Sequence, residues 1–318
     1  MSLIWRYLVF ILAITLPLMG EKPPHLVLYF DINQTLIASD KAGQKSVADV
    51  LNELLAEKYI ACWTDSQQDP IPFDQFVRTS LIPGSATDPT LLQQRKQAIH
   101  HFVDYLREHN HPLYPTVAQD YQTTLAALEH THGEIFASFY ALLDYLELNQ
   151  NSYSIILRSF GHEIFDLKDQ VNALYKPLFT LTGKFREGKL YMSHEILYDP
   201  QAIYQQLRRS PHAAIHDDWQ YWNAHGGSAS YGKPFYIDRH DPDTLSIFFD
   251  DNINKDDSPQ NIIIPLDATT GQPIPIRELV ESGKAVRVDT LQAILDLSYY
   301  INLVEAALEK HSLQPALL

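Results

Sequence analysis

The sequence predicts an α/β protein in which a mostly parallel sheet is interrupted early by a large helical insert. Three observations carry this. Short apolar runs recur at His25–Phe30, 154–157, 213–216, 235–237, 245–249, 262–264 and 285–288, and such runs read as buried strands. Between about Lys45 and Glu147 the apolar spacing is helical instead. Beyond that stretch strands and helices alternate, which is the pattern of a layered α/β sheet.

The elements follow in order. Arg6 is the only charge before Glu21, and Leu8 to Met19 is almost wholly apolar. Residues 1–20 therefore read as a secretory signal peptide or an uncleaved membrane anchor, with an ordinary buried helix as the alternative. Around Gly20 the small-x-small pattern of a cleavage site is not clear. An exported protein, periplasmic or secreted, or an anchored one is the expectation.

His25–Phe30 is the first strand. Val47, Val50, Leu51, Leu54 and Leu55 then share one helix face, as do Ile99, Phe102, Val103 and Leu106, and later Phe136, Phe139, Tyr140, Leu143 and Leu146. Asp65–Pro89 is rich in proline and polar residues and reads as a long loop. After the strand at Ser154–Leu157, Pro177 argues against a helix through Phe179. Residues 181–184 and 187–190 read as a hairpin. A single helix from about Thr290 to Lys310 closes the chain. The expected organisation is a core of residues 25–39 and 151–318 with a helical insert over residues 40–150.

Composition narrows the function. Hydrophobic residues are 45% and charged residues 20%, which excludes wholesale disorder and a polytopic membrane protein. The formal net charge is -15, so the surface repels a phosphate backbone, and no nucleic-acid partner is expected. A membrane enters only through the amino terminus. Cys62 is the only cysteine, so neither an intramolecular disulfide nor a cysteine-based zinc cluster can form.

Four short segments carry chemistry. Asp31-Ile32-Asn33-Gln34-Thr35 follows the first strand directly, where open α/β sheets bind ligands; a turn or helix cap is the plainer reading. Ser159, before Phe160-Gly161, ends a strand and could donate to an anion or simply cap a helix. Lys233 lies between Gly232 and Pro234 and could neutralise a phosphoryl oxygen, although most lysines are merely solvated. Asp250 and Asp251 end the apolar run 245–249. Adjacent carboxylates there need a cation, a lysine or hydrogen bonds, and their oxygens suit magnesium.

The order of these segments resembles the haloacid dehalogenase (HAD) superfamily over roughly residues 25 to 290. The resemblance implies a Rossmannoid core with a mobile cap inserted after the first motif, here the 40–150 insert. It implies that Asp31 is a nucleophile taking a phosphoryl group, while Ser159 and Lys233 hold phosphoryl oxygens. Mg2+ would be held by Asp31, the backbone carbonyl of Asn33 and Asp251, with Asp250 supporting it or the lysine.

Asn33 departs from the pattern. Phosphatases of this family usually carry a second aspartate there, which exchanges a proton, and an amide cannot do so near neutral pH. His162 is a candidate replacement acid, set against an ordinary histidine at a helix start. Trp63 and the 65–89 loop could touch substrate or pack the insert. The leading expectation is a magnesium-dependent phosphatase of a small phosphorylated compound, weakened or altered by Asn33. The rivals are a catalytically degenerate binding protein of the same fold and a secreted or anchored α/β interaction protein.

Overall fold

A computed structural model describes residues 23–313 apart from 41, 42, 130, 132, 255, 257 and 260. The signal or anchor reading of residues 1–20 falls outside the described residues. Among the described residues no helix is long and apolar enough to cross a membrane.

The strands are β1 (His25–Phe30), β2 (Ile60–Ala61), β3 (Ile71–Pro72), β4 (Tyr153–Ser159), β5 (Leu181–Arg186), β6 (Lys189–Met192), β7 (Glu195–Leu197), β8 (His212–His216), β9 (Lys233–Ile237), β10 (Thr244–Asp250), β11 (Ile263–Asp267) and β12 (Ala285–Arg287). Eight form one sheet in the order β12-β10-β1-β4-β8-β5-β6-β7. It is parallel from β12 through β5 and antiparallel across β6 and β7. The protein is thus α/β with a mostly parallel sheet. β9 and β11 form a separate parallel pair, and β2 and β3 a minimal antiparallel pair in the insert.

The helices of the insert are α1 (Val47–Lys58), α2 (Phe73–Phe76), α3 (Pro89–His100), α4 (Phe102–Glu108), α5 (Tyr114–Glu129) and α6 (Ala137–Leu148). Beyond it lie α7 (Glu163–Leu174), α8 (Pro200–Arg209), α9 (Trp219–Ala224), α10 (Ile276–Glu281), α11 (Thr290–Leu295) and α12 (Tyr299–Leu313).

Strand alternation divides the core into two layers, because successive side chains face opposite sides of a sheet. Leu26, Leu28 and Phe30 of β1 join Leu245, Ile247 and Phe249 of β10 and the buried side chains of the insert. Val27, Tyr29 and Phe248 face the other way, toward α8, α10 and the β9–β11 pair. The insert therefore shares one apolar cluster with the sheet. Phe30 shows this directly: its ring centroid lies 5.2 Å from that of Phe139 in α6, 5.2 Å from Tyr300 in α12 and 4.6 Å from Phe249.

Three expectations about elements are corrected. The 65–89 segment is not simply a loop: α2 continues into a π-helical turn over Val77–Leu81. Phe73, Phe76 and Val77 have the spacing of a helix face and are buried, which outweighs the prolines on either side. The closing helix is two helices, because Asp296 is extended and its Oδ1 accepts from Ser298 N at 2.8 Å, capping a new start. The 181–190 hairpin gains a third strand, β7.

Candidate functional site

The register of the sheet sets the site. Phe30 of β1 pairs with Phe249 of β10 and with Leu157 of β4, so the next residues, Asp31 just past β1 and Asp250 at the end of β10, stand side by side. Asp31 N donates to Phe249 O at 2.9 Å. By alternation both carboxylates belong to the face of Tyr29 and Phe248, toward β9.

Lys233 comes from outside this sheet. It is the first residue of β9, so it does not stand at the carboxyl end of an adjacent strand as its place in the motif order suggests. Its Nζ lies between Asp31 Oδ1 and Asp250 Oδ2, the latter at 2.8 Å, and only 2% of its side chain is exposed. Gly232 makes the approach possible. A Cβ at that position would sit 2.4 Å from the backbone oxygen of Ile262, the oxygen that accepts from Lys233 N at 2.8 Å.

Asp251 turns away from Lys233 and toward the loop that follows Asp31. Its backbone N–H donates to Thr35 Oγ1 at 3.1 Å, and Asn252 Nδ2 donates to its Oδ2 at 3.0 Å. That loop is pinned by the closing helices: Thr290 Oγ1 donates to Gln34 O at 2.5 Å, and Tyr300 Oη donates to Thr35 O.

Asp31, Asp250 and Asp251 each present an oxygen within 4.8 Å of the others. One ammonium faces three carboxylates in a buried setting. Burial pushes the Asp31 carboxyl up to about 7, with Asp250 adding to the rise and Lys233 opposing it. Burial, then Asp250 and Asp31, holds Asp251 well above the ordinary carboxylate range. Burial alone would lower Lys233, but Asp250 and Asp31 outweigh it and raise it. A crowded, all-oxygen carboxylate set of this kind fits a hard divalent cation. Asp31, Asp250 and Asp251 would hold it; the Asn33 backbone carbonyl belongs to the set only by resemblance.

Ser159 lies on the opposite parity from Arg158 and faces the insert side. Its Oγ donates to Glu163 Oε1 at 2.8 Å and accepts from Gly161 N at 3.0 Å. Asn33 Nδ2 donates to the same Glu163 oxygen at 3.0 Å, while Asn33 Oδ1 is buried without a partner. Ser159 and Asn33 are thus brought together, with Glu163 between them.

Sequence reasoning missed Glu163. Its signal was an acidic residue in the first turn of a helix, four residues after the strand-ending serine. It also missed Arg158 and Asp217. Arg158 is fully buried and binds Asp217 through Nε at 3.0 Å and Nη2 at 2.5 Å, while Nη1 donates to Pro234 O at 2.9 Å. This guanidinium ties β4 to the residue that follows Lys233. An isolated Arg in an apolar run gives no hint of its partner.

His162 is the N-cap of α7 and stacks on His216 with ring centroids 4.5 Å apart. Trp63 packs the insert: its ring lies 5.0 Å from Phe73 and 5.8 Å from Phe102, and Nε1 donates to Ile71 O at 2.7 Å. A cleft of about 1830 Å³ opens over Asp31, Asn33, Ser159, Glu163 and Lys233, and Trp63 does not line it. No protein-family model, curated protein or solved structure matches this chain.

Proposed function

We propose that the protein is a magnesium-dependent hydrolase of the HAD type that removes phosphate from a small phosphorylated compound. The observation that carries this is the buried Asp31–Lys233–Asp250 array at the end of β1, which meets a cleft through Asp31 and Lys233. A buried carboxylate beside a buried ammonium and a second carboxylate is costly to fold around and is expected where chemistry uses it.

In this reading the Asp31 carboxylate attacks phosphorus as the ester oxygen leaves, giving an aspartyl-phosphate that water then hydrolyses. Lys233 offsets the charge that builds on the phosphoryl oxygens. When bound, Mg2+ supplies further positive charge at that place, held by Asp31, Asp251 and Asp250 with the Asn33 carbonyl. The cleft is large enough for a small-molecule leaving group.

A second reading is a binding protein with little turnover. It is favoured by Asn33, whose amide is spent on Glu163 and which brings no exchangeable proton. A hydrolysis panel of generic and metabolite phosphates, with and without Mg2+ and with Asp31→Asn as the blank, separates the two. Magnesium-dependent release of phosphate that disappears in the blank supports the enzyme. Phosphate binding without any release supports the binding protein.

A further inference from the structure

Ser159 ends β4 and Asn33 lies in the loop after β1, yet both aim a donor at a single atom, Oε1 of Glu163. Glu163 is only 7% exposed and lines the cleft that holds Asp31 and Lys233. It also lies directly on the Gly161 backbone, since a Cβ at Gly161 would come within 1.9 Å of Oε2 and 2.2 Å of Oε1. Two convergent donors over a glycine turn make a seat for one anionic oxygen.

We infer that Ser159 Oγ and Asn33 Nδ2 together form a seat for an oxygen of a phosphoryl group, and that the Glu163 carboxylate occupies this seat until the phosphoryl group displaces it. The inference rests on the phosphate-binding part of the reading above and gives Asn33 a role there. Asn33 is a binding residue that donates an N–H. An aspartate at the same position would offer no donor and would set two carboxylates against each other. Ser159 cannot serve both occupants at once, because a hydroxyl has one proton to donate and here Glu163 takes it. Substrate entry thus requires the Glu163 side chain to swing off the seat. Among the described residues the hydrogen bonds of this side chain run to one carboxylate oxygen, and a glutamate in the first turn of α7 has other staggered rotamers open to it.

Calorimetric titration of the full chain with inorganic phosphate, in Mg2+, tests the inference. Glu163→Ala should tighten phosphate binding by about tenfold or more, the effect of removing a competitor held by charge-assisted bonds. Glu163→Gln should tighten it as well, by a smaller factor, because a neutral amide oxygen holds the two donors less strongly than a carboxylate does. Asn33→Ala in the Glu163→Ala background should abolish most of the gain. Phosphate binding to the wild type that is unchanged or weakened in both Glu163→Ala and Glu163→Gln would overturn the inference and leave the phosphate-site reading standing. Failure of the wild type and of both variants to bind phosphate would remove the two together. Tighter binding without hydrolysis would uphold the seat and count against the enzyme alone.

Discussion

Lys233 opens β9 of the small sheet, Asp31 follows β1 of the main sheet, and their side chains meet. β9 pairs with β11, outside the main sheet, and the Lys233 ammonium is carried across to the end of β1. The contact therefore links two layers of the protein as well as two parts of the site.

Removing that ammonium should be costly. In Lys233→Met, Asp31 and Asp250 remain buried beside each other with no cation, and breaking a buried pair costs roughly 3 to 5 kcal/mol. Denaturant unfolding of the metal-free protein at neutral pH should show a loss of that size. Asp250→Asn added to Lys233→Met should recover part of it, because one of the stranded charges is gone.

The Asp31 carboxyl predicts how stability varies with pH. Its folded pKa of about 7 lies above the ordinary value of 3.8, so the folded state holds the proton more tightly than the unfolded chain does. The group's contribution to stability is then greatest in acid and is lost as pH rises from about 4 to about 7. Asp251 works in the same direction. In metal-free protein, the difference in melting temperature between wild type and Asp31→Asn should move against the wild type over this window. Added Mg2+ should flatten the difference, as a cation favours the ionised forms.

Asn33→Asp would place a carboxylate where the amide now donates to Glu163 Oε1 at 3.0 Å. The single variant should lose stability at neutral pH through like-charge repulsion. With Glu163→Gln added, the repulsion is relieved and a proton-exchanging acid stands two residues after Asp31, the nucleophile of the proposed reaction. The double variant should then hydrolyse phosphate esters faster than the wild type, by about 10² or more if general acid catalysis is the missing contribution. Steady-state rates on one ester for the wild type, both single variants and the double variant give the comparison. A double variant no faster than the wild type would mean that the absent acid at position 33 is not what limits turnover.

Arg158 should matter to stability more than its place in an apolar strand suggests. Arg158→Met leaves the 1% exposed Asp217 without its partner and frees Pro234 O. A loss of about 3 to 5 kcal/mol is expected. Arg158→Lys should recover little of it, because a single ammonium cannot reproduce the forked contact to Asp217 together with the bond to Pro234 O. Thermal unfolding of the two variants checks both statements.

The strands were legible because short apolar runs bounded by polar residues survive as strands wherever both faces are covered. Val27, Leu28 and Tyr29 illustrate it: neighbours in the chain, they are buried on opposite faces, and no helix period competes. The carboxylates were legible for a related reason, since Asp31 and Asp250 are the first charges after such runs. The partner of Ser159 was not. Glu163 looks like any acidic residue in the first turn of a helix, and only the fold brings Asn33 to it from 130 positions away. The 65–89 segment misled because its prolines and polar residues hide Phe73, Phe76 and Val77, whose burial depends on Trp63 and Phe102 packing over them. The break at Asp296 was hidden by apolar residues on both sides.

The clamp on the loop after Asp31 bears on biosynthesis. Thr290 and Tyr300 hold the carbonyls of Gln34 and Thr35 from 256 and 265 positions downstream. A ribosome releases the first strand and its aspartate long before it has made either anchor. During translation Asp31 is therefore already outside the tunnel while the loop beside it still lacks its fastening, and the nascent chain cannot present a finished site. The loop gains this fastening only when α11 and α12 dock. A proteolytic nick between β12 and α11 that released the two helices would return the mature protein to that earlier condition.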